Sequence, residues 1–365
     1  MLAVVDLTSW EGRLNTRARM RSFLILLFLG FGWLAAIPGA SAAQPLHVFI
    51  WSEYLDPEVV REFEKARDAK LTIDLYEDAE SMMAKLQNGG VGLYDIVVPP
   101  DHMVASMVKL GLLSPLRHDN LPNLRNLDAR FRAPPFDPKN AYTVAYQWGT
   151  VGLYYRKIAG KPAPDSWTAI FQASAQPGPM VVIDSMRDAI GAALKFRGHS
   201  FNATDTALLK EARDLLIDAK RRSVAMEGSV GGRNRVLGKT AAVAMVYSGE
   251  AARGMSEDHE TAYVIPKEGS QIWLDNLAVP AKAPHRDLAE QFINFLLEPE
   301  IGARISNFTQ FATPNQAARE FIKKEDLANP AIYPSPEVMA KLEYLEDVGA
   351  KTRLFDQVWT QVKAR

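Results

Sequence analysis

The chain has 365 residues, 47% hydrophobic and 23% charged, with a formal net charge of -1; this is ordinary globular composition, sufficient for two sizeable cores. Such a balance excludes a broad electrostatic attraction to nucleic acid. The absence of cysteine excludes disulfides, thiolate metal sites, cysteine nucleophiles and a lipid anchor on cysteine.

At the amino end, Arg17, Arg19 and Arg21 precede an uncharged apolar stretch over 23–37, and Ala40-Ser41-Ala42 fits a small-residue cleavage site. Residues 1–43 therefore read as a signal peptide with an upstream segment, Met20 being an alternative start. The apolar stretch is short for a bilayer span. The expectation is a periplasmic mature chain beginning near Ala43 or Gln44.

LHVFIW (46–51) alternates like a strand, and 57–67 reads as a helix with Pro57 in its first turn. A second alternating run covers 70–77, a helix 79–89, an apolar strand YDIVVPP (94–100), and another helix 102–113 up to Gly111. This strand-helix order predicts an open α/β sheet. Residues 114–140 are irregular, rich in Pro, Asn, Arg and Asp. Two strand-like segments around Gly149 follow within 141–156, extended enough to cross between domains. Helices are expected over 166–172, 185–198 and 203–222, the last capped by Thr204 or Asp205, with a strand at 180–184. GSVGGRNR (228–235) reads as a loop. Strands follow at 241–247, 261–269 and 271–280, then a helix pair over 285–306 divided near Pro299, and helical segments near 315–324 and 336–359.

In open α/β sheets the ligand site lies beyond the carboxyl ends of the strands. The first strand presents Trp51, Ser52, Glu53 and Tyr54 there, and the third presents Pro100, Asp101 and His102. The strand at 180–184 presents Asp184 and Ser185, with Asp188 one turn on. The strand at 241–247 ends on Tyr247 and Ser248. Trp273 and Asp275, two apart, share one side of an extended chain. Aromatics and carboxylates recur and basic residues do not. That suits an organic cation, whose ammonium groups pair with carboxylates while rings pack its methylenes. Plainer roles stand beside each: helix-end packing for Trp51 and Tyr54, a helix cap for Asp184, a loop bridge for Asp275, solvation for Glu53. Arg233 or Arg235 reaching a ligand carboxylate would favour an opine or amino-acid derivative. Asp101, His102 and Ser106 form a remote hydrolase candidate without a G-x-S-x-G elbow. The six histidines show no metal-ligand spacing, and neither metal nor cofactor is expected.

FIWSEYLDPEVVREFE, YDIVVPPDHMVASMVKLGLL, PFDPKNAYTVAYQWGTVGLYY, IPKEGSQIWLDNLAVP, FINFLLEPEIG, ATPN and EDVGA together resemble the periplasmic spermidine/putrescine-binding proteins of bacterial ABC importers. The resemblance implies an α/β, two-lobed periplasmic binding protein fold with discontinuous lobes and a hinge. One lobe would comprise 44–147 plus 274–319, the other 148–273 plus 320–365. It implies a non-enzymatic, monomeric receptor for a polyamine or related small cation, docking on an ABC permease in the inner membrane. By the same resemblance the ligand-binding residues are Trp51, Ser52, Glu53, Tyr54, His102, Asp184, Ser185, Asp188, Tyr247, Trp273, Asp275 and Phe311. The sequence departs from the family pattern at Pro100, His102, Ser185, Phe311 and Leu345, which puts the choice among amines in question.

Overall fold

The computed structural model describes residues 43–365; the expected signal segment lies almost wholly outside the described residues. Ten strands form the framework: β1 (Gln44–Trp51), β2 (Ala69–Tyr76), β3 (Ile96–Val97), β4 (Thr143–Arg156), β5 (Met180–Ile183), β6 (Ala225–Glu227), β7 (Val243–Tyr247), β8 (Thr261–Val264), β9 (Ser270–Ala278) and β10 (Leu342–Glu343). Their order is β2-β1-β3-β9-β4-β7-β5-β6, with β8 on β4 and β10 on β9. The β2-β1-β3 and β7-β5-β6 groups are parallel and connected through helices, as the alternating sequence pattern demands.

β4 and β9 tie the two groups together. The first part of β4 pairs antiparallel with β9, from Thr143 opposite Ala278 to Thr150 opposite Ile272. Its last part pairs with β7 and β8. β4 is thus one strand running through Gly149, not two segments; its irregularity falls between Ala145 and Gln147. Gly149 lies opposite Trp273, and a Cβ there would sit 2.5 Å from Trp273 Cζ2. The glycine gives clearance to an indole ring and does not end the strand.

Local signals account for several helix ends. Asp56 accepts from Glu58 N at 2.8 Å to cap Pro57–Arg67, which stops where Asp68 turns left-handed. Asp205, of the two candidates, caps Thr206–Arg222 through Ala207 N and Leu208 N. The pair Arg286–Leu296 and Pro299–Thr309 divides at Pro299. Alternation along β1 sends Leu46, Val48 and Ile50 into one core with Val59 and Phe63, and Phe49 into another with Tyr76, Met82 and Tyr94.

Three further expectations are corrected. GSVGGRNR is not a loop: Ser229–Leu237 is a helix. A Cβ on Gly232 would lie 3.1 Å from Val246 and 3.3 Å from Ala244, so the glycines permit close packing of this helix on β7. YDIVVPP pairs only over Ile96–Val97. The segment 336–359 is not one helix: a short turn of helix at Pro336–Met339, β10, an extended run and left-handed Gly349 precede the helix Thr352–Ala364.

Candidate ligand-binding site

The carboxyl ends of β1 and β7 and the middle of β9 converge. Tyr54, just past β1, is buried and donates its hydroxyl to Asp275 Oδ2 at 2.7 Å. Tyr247, ending β7, donates to Asp188 Oδ2 at 2.7 Å. Between these two tyrosine-carboxylate pairs stand Trp273 and Phe311. Their rings meet edge-on at 5.0 Å; Tyr247 meets Trp273 at 5.8 Å, and Phe311 meets Tyr54 at 5.6 Å. A chain of four aromatic side chains thus joins one buried carboxylate to the other.

Asp275 is 7% exposed and Asp188 3% exposed, and neither has a basic partner within ion-pair distance among the described residues. Burial, reinforced by nearby Asp101, pushes the Asp275 carboxyl up to about 8 against the opposing donation from Tyr54. Burial also raises Asp188, opposed by Tyr247, Ser185, His102 and Arg187. The hydroxyls of Tyr54 and Tyr247 are held well above the usual phenol value, first by burial and then by the adjacent carboxylates. Asp188 Oδ1 and the indole nitrogens of Trp51 and Trp273 are buried without hydrogen-bond partners. Unpaired buried acceptors are costly, and a carboxylate oxygen in that state is ready for a donor that brings positive charge.

The other expected residues divide. Trp51 is half-buried and packs on Tyr76 at 4.4 Å; Ser52 occupies the turn beside it. Ser185 opens the helix Met186–Phe196 and acts on both Asp188 and Tyr247. His102 is half-buried, with Nδ1 3.3 Å from Asp101 Oδ1, and lines a cavity of about 430 Å³ with Asp101, Phe136, Tyr344, Leu345 and Glu346. This open volume lies beside the packed ring cluster: Asp101 also accepts from Leu274 N at 3.2 Å, next to Asp275.

Two expected residues already hold basic partners. Asp184 is exposed and pairs with Lys363 at 2.6 Å on the carboxyl-terminal helix. Glu53, at a left-handed φ of 52°, is exposed and accepts from Arg253 at 2.9 Å. Neither Arg233 nor Arg235 is free for a ligand carboxylate: Arg233 pairs with Glu250 at 2.7 Å, and Arg235 pairs with Glu227. Ser106 donates to Asp347 at 2.8 Å and leaves no hydroxyl-imidazole pair with His102. Sequence reasoning missed Tyr76 and Arg253. Tyr76 ends β2 directly opposite Trp51, so listing the second strand's terminus would have found it. Arg253 had only its Glu250-x-x-Arg253 spacing to mark it.

The profile of the bacterial extracellular solute-binding proteins matches residues 58–334. The chain belongs to this family. As a solute-binding protein it is non-catalytic, and its architecture is the two-lobed α/β fold of periplasmic binding proteins. The putrescine/agmatine-binding protein of Pseudomonas aeruginosa is 33% identical over 355 residues, covering 91% of this chain and 95% of that protein. The spermidine/putrescine-binding periplasmic protein of Escherichia coli is 31% identical over 332 residues, covering 89% and 95%. The structure of a putative spermidine/putrescine ABC transporter protein from Listeria monocytogenes superposes with a TM-score of 0.83 at 34% identity, covering 88% of this chain and 99% of that one.

Proposed function

We propose that this solute-binding protein is the periplasmic receptor of an ABC importer and binds a polyamine such as putrescine or spermidine. The observation that carries the reading is the pair of buried carboxylates, Asp188 and Asp275, each held by a tyrosine and joined by an aromatic wall. Two anionic ends and an apolar middle complement a flexible chain with ammonium groups. Asp275 receives one ammonium and Asp188 another, while Tyr54, Tyr247, Trp273 and Phe311 enclose the methylenes. The names and cover of the relatives support the same cargo.

In this reading the lobes are 44–147 plus 274–319 and 148–273 plus 320–365, hinged where β4 and β9 pass between them. A cleaved signal peptide within residues 1–43 delivers a monomer to the periplasm, and the liganded form docks on an inner-membrane permease. Calorimetry on residues 44–365 with putrescine, spermidine and a zwitterionic amine tests the cargo. Saturable binding of at least one polyamine and none of the zwitterion is expected; zwitterion binding alone would overturn the reading.

A further inference from the structure

Among the described residues, Asp101, Glu250, Asp184 and Glu53 around the cluster are each already held by a donor or a cation. Asp101 accepts from the main-chain nitrogens of His102 and Leu274 and faces the His102 ring. Glu250, 4% exposed, takes Arg233 Nη1 at 2.7 Å and is also bonded by Arg253. Asp184 holds Lys363, and Glu53 holds Arg253. Glu53 is the informative case. It lies in the turn after β1, adjacent in sequence to Tyr54, whose hydroxyl holds Asp275, so releasing it from Arg253 would add an anion at that turn.

The strength of the Glu53 ion pair is not the argument, because Glu53 is exposed and such pairs are weak. The argument is the anchoring of its partner. Arg253 is largely buried, belongs to the helix Ser248–Glu257 and is bonded to buried Glu250 as well. A ligand ammonium could displace the bridge to Glu53, but the guanidinium would stay within a few ångströms. The incoming charge would therefore meet a fixed like charge. Elsewhere on the rim Glu346 is exposed and fully open to solvent screening.

We infer that Arg253 is a specificity-determining residue: by occupying Glu53 it leaves two uncompensated buried carboxylates, so the site selects a diamine over a triamine. The inference rests on the polyamine reading and assigns Glu53 to the closure of the site, not to ligand charge. It gives the solvent-exposed β1 turn, with its strained Glu53 backbone, the task of presenting a carboxylate to the opposite helix.

Calorimetry with putrescine and spermidine on the wild type and on Arg253→Gln tests it. The wild type should bind putrescine at least tenfold more tightly than spermidine. Arg253→Gln should free Glu53 and narrow that ratio at least fivefold by a gain for spermidine. The double variant Glu53→Gln/Arg253→Gln has no carboxylate to free and keeps Glu250 paired with Arg233, so it should show none of the gain for spermidine seen in Arg253→Gln. A wild type that prefers spermidine, an unchanged ratio in Arg253→Gln, or the same gain for spermidine in the double variant overturns the inference while the polyamine reading survives. If neither amine binds the wild type, both fall together.

Discussion

Tyr54 and Asp275 are 221 residues apart in the chain and 2.7 Å apart in the fold, one hydroxyl donating to one carboxylate in a buried setting. The bond brings the turn after β1 onto the middle of β9, so the first strand of the chain and a strand from its last third, central in the sheet order, build one site. It also leaves Asp275 with a neutral donor where a charged one belongs.

Asp275→Asn keeps an acceptor for Tyr54 but removes the charge. Affinity for a cationic ligand should fall at least tenfold, about 1.4 kcal/mol, in line with a lost charged hydrogen bond. Calorimetry measures this directly. The melting temperature of the empty protein at pH 7 should hold, since burial already favours the uncharged carboxyl and the amide keeps an acceptor for Tyr54; a fall would show that Asp275 is structural.

The pH dependence follows from the same carboxyl. Its folded value of about 8 lies far above the ordinary aspartate value of about 3.9. A raised value means that the folded protein holds a proton the unfolded chain releases. This contribution to stability is complete below about pH 4 and is lost as pH rises towards about 8. The empty protein should melt at progressively lower temperature over that interval through this group, and Asp275→Asn should flatten the trend. Binding runs the other way, since the ammonium requires the ionised form. Affinity should rise from pH 6 to 8, and calorimetry in two buffers of different ionisation enthalpy should detect proton release at pH 7. Affinity that is flat over this range would remove Asp275 from the ligand.

Tyr247→Phe takes away the hydroxyl that serves Asp188 Oδ2, while Oδ1 already lacks a partner. The empty protein should lose about 1–3 kcal/mol, the cost of a newly unsatisfied buried group. A bound diamine supplies donors to the same carboxylate, so the loss should be smaller in the liganded protein. Chemical denaturation with and without ligand compares the two.

Gly149→Ala would place a methyl group 2.5 Å from Trp273 Cζ2 and 2.7 Å from Ser248 Oγ. The indole must move or the strand must shift, at a cost of about 1–3 kcal/mol for overpacking. Because Trp273 lines the ligand wall, affinity should fall together with the melting temperature. Tryptophan fluorescence on titration should register the displaced ring; an unchanged spectrum and affinity would show that β4 adjusts without moving it.

Much of this molecule was legible in local sequence. Hydrophobic alternation and Pro or Asp at helix starts are short-range effects, and they located β1, β2, β7, β9 and the helices they precede. The strand-end residues Tyr54, Asp188, Tyr247, Trp273 and Asp275 could be named because the sheet's geometry directs them to one edge. Glycines misled the reading, at Gly149 within β4 and in the helix Ser229–Leu237, because clearance for a neighbouring side chain looks like a break until that neighbour is known.

Sequence by itself determined the α/β architecture and the kinds of side chain at the strand ends, since both depend on periodicities of two and 3.6 residues. Only the tertiary structure decided which carboxylates stay uncompensated. Asp184 and Glu53 look as available as Asp188 and Asp275 in the sequence, yet Lys363 and Arg253 neutralise them from 179 and 200 residues away. Charge pairing at that separation is set by how the chain packs, and no local pattern encodes it.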